Sequence, residues 1–494
     1  MSATSEAADA VEQLDTTQLI KQLTVAIGAD SVKSGAFDQH LYAKDASVLR
    51  GEPSVVTLPR STADVQAIVR TCRENGFSFV ARGSGTGLAG GAIPLDNAVI
   101  VATARMNAVE EVDVENGYAW VQPGVLNLDL SRALSPYGRH FAPDPSSQQA
   151  CSIGGNVANN SGGPHCLAYG VTSAHVLAVE VVMADGELVM LGGLDAEPSG
   201  YDLRGLFVGS EGTLGVATRI AVRLTPNPPA VKTLLLDFVE PNDGAATVSA
   251  IIAAGLVPAA LEMMDQRAVE VVEAFANAGY PTDAGAVLLV ELDGMPDGVA
   301  ADIETVSRVA RDNRVRSVRV AADETERALL WKGRKNAFGA VARLKPDYYL
   351  HDTVVPRMRL QEVLDKVYEI ADRYELIAVN VFHAGDGNLH PILAYDSREP
   401  GVMDRVHAAG AEIVKASLDA GGVLSGEHGI GLEKRDYMTL MFTPADLAEQ
   451  DRVRTVFDPT DSANPMKVIP SGSRCGDFTG HSGSGHTVPE GAWV

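Results

Sequence analysis

The sequence has few cysteines and no long hydrophobic run. Its four cysteines, Cys72, Cys151, Cys166 and Cys475, form no CxxC pair and have no regular spacing, which argues for a reducing compartment without a disulfide framework. The N-terminal stretch MSATSEAADAVEQLD is acidic and lacks the apolar core of a signal peptide, and no run of about 18 apolar residues predicts a membrane span. These absences predict a cytoplasmic protein.

Positive charge is also scarce. The chain has 40 Lys and Arg residues against 64 Asp and Glu residues, for a formal net charge of -24. Such a chain repels phosphate backbones and anionic lipids, which argues against a nucleic acid partner. An anionic small substrate would need a local cationic pocket set against this field.

The remaining composition is that of a soluble globular chain. Its residues are 46% hydrophobic and 21% charged. Its length of 494 residues allows about three domains. Composition changes along the chain predict a helical lead-in, an α+β domain of short strands, a mixed α/β domain, a helical C-terminal segment and a flexible Gly/Ser-rich tail. Their predicted bounds are 1–50, 51–229, 230–410, 411–471 and 472–494.

Hydrophobic periodicity and caps predict the main elements of these regions. Helices are expected at TTQLIKQLTVAIG, STADVQAIVRTCRENG, 242–255, 263–278, 297–312 and 323–342, and from about 403 to NPMKVIP. Strands are expected at SVVTL, FSFVA, AVIVA, AWVQPG, LAVEVVMADGELV, GVATRIAVRL, TLLLDF, AVLLVEL, SVRVAA and a hairpin at 376–395.

The hairpin segment VFHAGDGNLHPIL places two histidines around Asp386-Gly387. Asp-Gly between apolar runs is a strong signal for a two-residue turn, which pairs His383 directly with His390. Paired residues lie about 5 Å apart at Cβ on one face, close enough to reach one metal ion or one substrate. The alternative is that both are ordinary buried histidines.

Glycine-rich segments predict a ligand site in the α+β domain. RGSGTGLAGGA contains Gly85-x-Gly87-x-x-Gly90, but it is followed by another strand instead of the helix that a Rossmann fingerprint requires. It can still form an anion-binding nest of backbone N–H groups; the alternative is a plain turn. The long segment PDPSSQQACSIGGNVANNSGGPHCLAYG and the segment GSEGTLG add Gly, Asn and Ser. Together they suggest a large, mostly neutral ligand with a phosphate portion.

Two segments of the C-terminal half carry further candidates. SGEHGIG provides Glu427, which would complete a His2Glu metal set with His383 and His390, and leaves His428 as a proton acceptor with a pKa near working pH. Alone, Glu-His is a common surface pair. The helix ERALLWKGRKNAF carries Arg334, a candidate fork for a substrate carboxylate, although a solvated basic face is the simpler interpretation.

The order and spacing of RGSGTGLAGGA, PDPSSQQACSIGGNVANNSGG, GSEGTLG, FHAGDGNLHP and SGEHGIG resemble the FAD-linked 2-hydroxyacid dehydrogenases of the vanillyl-alcohol-oxidase superfamily. The resemblance covers about residues 40–475. Within the family it is greatest to the flavin subunits of bacterial glycolate oxidases (glycolate dehydrogenases), with D-lactate and D-2-hydroxyglutarate dehydrogenases as near relatives.

The resemblance implies an α+β fold with a PCMH-type FAD-binding domain, a ferredoxin-like α/β cap domain and a C-terminal helical segment that contacts the flavin. It also implies a divalent metal (Zn, Mn or Fe) at His383, His390 and Glu427. The residues expected to bind FAD are Arg82, Gly83, Ser84, Gly85, Thr86, Gly87, Gly90, Pro143, Ser146, Gly154, Gly155, Asn156, Asn159, Gly162, Glu211, Gly212, Gly215 and Ile220.

Two departures from relatives carry expectations of their own. Relatives with covalent FAD have a His in the first loop, whereas this chain has Ser84 and Thr86 around Gly85, so noncovalent FAD is expected. NPMK at 464–467 replaces the usual NPGK, so Met466 is expected to affect the turn beside the flavin.

The implied reaction is oxidation of glycolate, D-lactate or both to the 2-oxoacid, with His428 as base and Arg334 on the substrate carboxylate. The chain has no iron–sulfur cysteine pattern, so electrons are expected to pass to a partner subunit with clusters or to quinone, and such partners could hold the protein at the inner membrane face. A hetero-complex or homo-oligomer is compatible with this. The alternatives are a D-2-hydroxyglutarate dehydrogenase, a noncatalytic flavin-binding subunit, or a phosphate-ligand binding protein without redox chemistry.

Overall fold

The computed structural model describes residues 15–95, 97–195 and 199–470. The predicted tail at 472–494, which includes Cys475, lies outside the described residues. Within these ranges no helix combines the length and hydropathy needed to cross a membrane. Cys72, Cys151 and Cys166 are free thiols.

The N-terminal half carries the predicted short strands. Its strands are β1 (Val32–Lys33), β2 (Val55–Thr57), β3 (Phe79–Arg82), β4 (Val99–Ala102), β5 (Val109–Asp113), β6 (Tyr118–Val121), β7 (Arg139–His140), β8 (Val176–Val182), β9 (Leu188–Gly192), β10 (Val216–Arg223) and β11 (Thr225–Pro226). Its helices are α1 (Thr16–Ile27), α2 (Ala36–Tyr42), α3 (Thr62–Glu74), α4 (Asn127–Leu134), α5 (Ile153–Asn159), α6 (Cys166–Tyr169) and α7 (Leu203–Phe207).

These strands form two main sheets, in the orders β1-β2-β4-β3 and β5-β6-β10-β8-β9. The predicted helix α3 begins at Ser61, whose side chain accepts the N–H of Asp64, and it buries an apolar face on the first sheet. Leu19 and Leu23 of α1 join the same core, because a helix with one apolar stripe must bury it against a neighbour. The predicted lead-in helix is therefore part of this unit.

The C-terminal half contains the predicted cap at 230–410 and the predicted helical segment at 411–471, whose Phe457 packs in the core of the second N-terminal sheet. Its strands are β12 (Ala230–Phe238), β13 (Ala260–Asp265), β14 (Ala286–Gly294), β15 (Ser317–Val320), β16 (Asp347–Leu350), β17 (Thr353–Val354), β18 (Ile377–His383), β19 (Asn388–Leu389) and β20 (Pro391–Tyr395). Its helices are α8 (Pro241–Ala253), α9 (Gln266–Ala276), α10 (Pro296–Asp312), α11 (Glu324–Lys335), α12 (Ala337–Val341), α13 (Leu360–Arg373), α14 (Val402–Asp419), α15 (Met438–Met441) and α16 (Pro444–Phe457).

The cap is built on an antiparallel sheet of order β15-β12-β14-β13-β18, which continues through β19 to β17. Successive residues of a strand point to opposite faces. Accordingly, Leu234 and Leu236 of β12 pack with α8, α10 and α13, whereas Leu235 packs with α9, α11 and α12. The sheet is thus covered on both faces, and the functional segments emerge at its β18 end.

Two helix predictions in the C-terminal half need corrected bounds. The helix predicted at 263–278 is confirmed as α9 over Gln266–Ala276, but its first three residues belong to β13, because Ala260–Asp265 is buried throughout and pairs with both β14 and β18. Sheet pairing overrides the local helical pattern there. The predicted helix from about 403 onward is interrupted, since residues 420–434 are loop that carries SGEHGIG.

The predicted hairpin forms, but in a different register. His383 pairs with Asn388 instead of His390, so four residues, 384–387, make the turn. Other segments hold this wider turn: Arg357 donates to the carbonyl of Gly385, and a side chain at Gly387 would collide with the carbonyl of Val355. A shift of two positions in pairing keeps side chains on the same face, so the two imidazoles still meet.

Candidate active site

A cavity of about 490 Å³ opens between the loops of the N-terminal half and the cap. This volume is in the range of ligand sites. Glu427 and His428 face it. The predicted cofactor residues that line it are Arg82, Gly83, Ser84, Gly85, Thr86, Gly87, Ser146, Gly154, Gly155, Asn156, Asn159, Gly162, Glu211, Gly212 and Gly215.

Three predicted cofactor residues, Gly90, Pro143 and Ile220, do not line this cavity. Ile220 has a fully buried side chain in the core of the second sheet. The carbonyl of Pro143 accepts a hydrogen bond from Asn127. Sequence reasoning missed lining residues that no glycine-rich motif marks, among them Thr103, Pro123, Lys335 and Phe338.

The first glycine-rich loop closes over the guanidinium of Arg82. Arg82 is buried; its Nη2 donates to the carbonyl of Lys44 at 2.8 Å, whereas Nη1 has no hydrogen-bond partner. Gly85 has a φ of +70°, and a Cβ there would collide with this guanidinium, so the turn requires glycine. No helix is present among the described residues between Arg82 and Val99. The loop therefore offers backbone donors and one buried cation to an anion.

The second glycine-rich segment contains two short helices, α5 and α6, for which its Gly, Asn and Ser content gave no signal. Ser152 caps α5 by accepting the N–H of Gly155 at 3.3 Å. A side chain at Gly83 would collide with the hydroxyl of Ser152. The first loop and the start of α5 therefore pack directly against each other at the cavity wall.

Glu211 joins the third glycine-rich segment to SGEHGIG. Its Oε1 accepts the N–H of Ile430 at 2.7 Å, while Oε2 is buried without a partner. Burial raises the pKa of Glu211 to about 6, against the opposing effect of the backbone donors at Ile430 and Gly431. Asn159 donates to the carbonyl of His428 at 2.9 Å. Two segments of the N-terminal half thus hold the C-terminal loop against the cavity.

The NPMK turn forms despite Met466. Met466 has a φ of +65°, a backbone conformation that favours glycine, and its side chain packs against the cluster of Leu49, Ile93 and Leu95. Asn464 still donates to the carbonyls of Gly91 and Glu211 at 2.8 and 2.7 Å. Met466 does not line the cavity.

His383, His390 and Glu427 converge, and of the three only Glu427 lines the cavity, while the two histidines are buried behind it. The Nε2 atoms of His383 and His390 lie 3.3 and 3.2 Å from Oε1 of Glu427. The two rings are nearly perpendicular, with centroids 5.1 Å apart. One ligand atom from each residue lies within 4.8 Å of the others. Two imidazoles and a carboxylate suit a divalent ion such as Zn, Mn or Fe.

The Nδ1 atoms of His383 and His390, which face away from Glu427, also have polar neighbours. Nδ1 of His383 lies 2.7 Å from Oε1 of Glu262, and Nδ1 of His390 lies 3.4 Å from the carbonyl of His351. Metal-binding histidines are oriented in this way. Burial opposes the charge of His383, but Glu262 and Glu427 raise its pKa well above the usual range. The paired carboxylates favour a cation here.

A second cluster, Asp352, His390 and His428, also brings its ligand atoms within 4.8 Å. Here a cation is already present, because Nζ of Lys434 lies 3.2 Å from Oδ2 of Asp352. The same carboxylate accepts from the backbone of SGEHGIG. Asp352 therefore already has a positive partner and supports the loop from inside.

His428 is partly buried, and its ring stacks on that of His390, with centroids 5.1 Å apart and planes at 10°. Nδ1 of His428 is buried without a hydrogen-bond partner. Burial lowers its pKa to about 4. The prediction of a pKa near working pH is therefore wrong, because sequence pattern does not reveal burial. A neutral His428 is available as an acceptor.

Arg334 is 1% exposed and forms an ion pair with Glu262 at 2.5 Å. Its three guanidinium nitrogens have no hydrogen-bond partner of good geometry. Arg334 does not line the cavity, whereas its neighbour Lys335 does. Because Glu262 also contacts His383, Arg334 lies one side chain away from the His2Glu set.

The sequence prediction missed Glu262, Asp352 and Lys434. All three are almost fully buried and charged. Two of them could have been found from the sequence. Glu262 lies inside the apolar strand pattern ALEMMD, and Asp352 closely follows the strand pattern YYL. A charge in such a position is rarely buried unless it is paired.

Two family models match most of the chain. Residues 53–192 match the FAD binding domain, and residues 227–468 match the C-terminal domain of FAD linked oxidases. A glycolate oxidase subunit GlcD of Escherichia coli (strain K12) is 44% identical, with 87% of each chain covered. A D-lactate dehydrogenase of Anaerostipes hadrus is 34% identical over 85% of this chain and 90% of its own.

The solved structures agree with this fold. p-Cresol methylhydroxylase has a TM-score of 0.80 at 17% identity, with 93% of this chain and 98% of that chain covered. The fold is thus the α+β architecture with a PCMH-type FAD-binding domain that the sequence resemblance implied. Both family domains are present in the expected order, and a relative is 44% identical over 87% of the chain. The chain therefore belongs to the FAD-linked oxidase family of oxidoreductases.

Proposed function

We propose that the chain oxidises a short 2-hydroxyacid, glycolate or D-lactate, to the 2-oxoacid. One observation carries this: Glu427 and His428 face the same cavity as the glycine-rich loops, and His383 and His390 meet Glu427. The names of the relatives, a glycolate oxidase subunit and a D-lactate dehydrogenase, agree with it.

FAD would lie along the glycine-rich wall. Its phosphates suit the loop at Arg82, where one guanidinium nitrogen lacks a partner. Ser84 and Thr86 occupy the loop positions next to Gly85, and no histidine is present in RGSGTGLAGGA. We therefore infer noncovalent binding.

A divalent ion (Zn, Mn or Fe) would be held by His383, His390 and Glu427. The fit rests on the donor set and on the partners that orient both rings. When bound, FAD supplies a hydride acceptor and the ion supplies a positive charge that acidifies a hydroxyl group.

The side chains then have separate roles. Neutral His428 takes the proton of the substrate hydroxyl at its unprotonated ring nitrogen, and Asn159 keeps it in place through the backbone carbonyl. Arg334 is the candidate for the substrate carboxylate from the sequence, but it lies outside the cavity in an ion pair with Glu262, and it would have to exchange that partner for the substrate. Lys335, at the cavity wall, is the alternative carboxylate partner.

The electrons must leave the reduced enzyme. The sequence has no cysteine pattern for an iron–sulfur cluster, so a partner subunit with clusters or a quinone is the proposed acceptor. The relative from Escherichia coli is itself named a subunit. Association with a membrane would then come through such a partner.

The proposal is tested by adding substrate to the purified yellow protein without oxygen. Glycolate, each lactate enantiomer and D-2-hydroxyglutarate are compared by loss of flavin absorbance. Fast bleaching by glycolate or D-lactate is expected. Bleaching by D-2-hydroxyglutarate alone would change the substrate class, and no bleaching by any of them would favour a noncatalytic flavin subunit. A colourless protein would point to a phosphate-ligand binding protein.

A further inference from the structure

The carboxylate of Asp352 is the centre of the SGEHGIG loop. Asp352 is fully buried at the start of β17. Its Oδ2 accepts the hydroxyl of Ser425 at 2.5 Å and the N–H groups of Gly426, Glu427 and His428 at 3.0, 3.3 and 3.1 Å. Three successive backbone donors around one anion form a nest. The loop is thus folded around an anion that the protein itself provides.

The rest of the loop reinforces this arrangement. The hydroxyl of Ser425 also accepts the N–H of Gly429 at 2.9 Å. Nζ of Lys434 lies 2.6 Å from the carbonyl oxygen of Asp352 and 3.2 Å from Oδ2. The carboxylate of Asp352 is thus bound by backbone N–H groups, a hydroxyl group and an ammonium group at the same time.

This anion decides where two functional side chains point. The backbone N–H groups of both Glu427 and His428 are bound to Asp352, and the side chains of both residues line the cavity on the other side. A short loop with this many glycines has no helix or strand to fix it. Asn159 and Glu211 hold the carbonyl of His428 and the N–H of Ile430, whereas Asp352 alone binds the successive N–H groups of Gly426, Glu427 and His428.

We propose that Asp352 is a positioning residue that shapes the loop Ser425–Gly429 so that Glu427 and His428 face the cavity. The proposal rests on the proposed function in one respect, namely that Glu427 is a metal ligand. Residues that orient metal ligands typically change metal affinity or activity by about 10- to 100-fold when replaced. Asp352 acts through the backbone and does not itself line the cavity.

The test uses Asp352→Asn in the full-length flavoprotein, with Asp265→Asn as matched control. Asp265 is also a buried carboxylate of the cap with several donors, namely the N–H of Ala268, the hydroxyl of Tyr368 and the N–H of Asn380. Both variants alter a buried carboxylate that accepts backbone N–H groups and a hydroxyl group, but only Asp352 is also paired with a lysine, so the unfolding free energy of each variant is measured beside the two readouts. Two readouts are measured: the Kd for Zn²⁺ added to chelator-treated protein, and hydrogen exchange of the peptide covering 425–430.

Asp352→Asn is expected to keep its flavin absorbance, to weaken Zn²⁺ binding about 10- to 100-fold and to speed exchange in the loop, whereas Asp265→Asn leaves both readouts near wild type. Ser425→Ala, which removes one donor, gives a smaller change in the same direction and serves if Asp352→Asn does not fold. Unchanged Zn²⁺ affinity and loop exchange would overturn the inference. A wild-type protein that binds no Zn²⁺, Mn²⁺ or Fe²⁺ would instead overturn the metal role. In that case the hydrogen exchange of the loop alone tests whether Asp352 positions it.

Discussion

At the scale of single residues, the site is built from buried charges that each have a counter-charge. Arg334 contacts Glu262, Lys434 contacts Asp352, and Glu262 in turn contacts His383. Removing one member of a buried pair costs about 3–5 kcal/mol, because the other charge is left uncompensated. The functional side chains are therefore tied to the stability of the cap.

Two variants distinguish Arg334 from Lys335 as the partner of the substrate carboxylate. Arg334→Lys keeps the charge against Glu262 but loses the planar fork, so we expect KM for glycolate to rise about tenfold or more with a smaller change in kcat. Steady-state kinetics with an artificial electron acceptor measure this. Lys335→Met is the control; a rise in KM in that variant alone would assign the carboxylate to Lys335.

At the scale of elements, sequence patterns predicted local structure well and contacts between segments poorly. The strand at FSFVA and the apposition of His383 and His390 are confirmed, and the described residues after RGSGTGLAGGA contain no helix before β4, as predicted. The hairpin register was wrong because Arg357 and Val355, from another segment, hold the wider turn. Asp352 was missed because its donors lie more than 70 residues away. Such long-range pairing leaves no local pattern.

The C-terminal turn at Asn464 gives an element-scale prediction. Its buried amide donates to the carbonyls of two cofactor loops, at Gly91 and Glu211. Asn464→Ala leaves these acceptors unpaired, and we expect a loss of about 1–3 kcal/mol in unfolding free energy together with weaker FAD retention. Denaturant unfolding and flavin content after dialysis measure the two effects. Asn313→Ala, which removes only a bond to the carbonyl of Val309 in α10, should keep its FAD; equal FAD loss in both variants would contradict the account.

At the scale of the whole molecule, His165 connects the two halves. It lies between Asp144 of the N-terminal half, at 2.9 Å, and Glu291 of the cap strand β14, at 3.1 Å, and its ring stacks on Trp331. Burial opposes its charge, but Asp144 and Glu291 raise the pKa of His165 to about 10. A protonated imidazole thus bridges two carboxylates across the cavity-forming interface.

The stability of this bridge should depend on pH with a definite sign. Because the folded pKa of His165 is above its unfolded value of about 6.5, its contribution is full below pH 6.5 and is lost as pH rises toward 10. Thermal unfolding of wild type and His165→Gln across pH 6 to 10 measures it. The Tm difference should shrink steadily over this range, and a constant difference would contradict the bridge.

In the proposed reaction, flavin reduction requires both halves of the molecule, since the glycine-rich loops would hold the cofactor and the C-terminal half would supply His383, His390, Glu427 and His428. The most direct measurement is anaerobic flavin bleaching by glycolate or D-lactate in wild type and in His390→Ala. The account predicts that His390→Ala retains FAD and bleaches at least about a hundredfold more slowly. Equal bleaching rates in the two proteins would contradict the role of the His2Glu set.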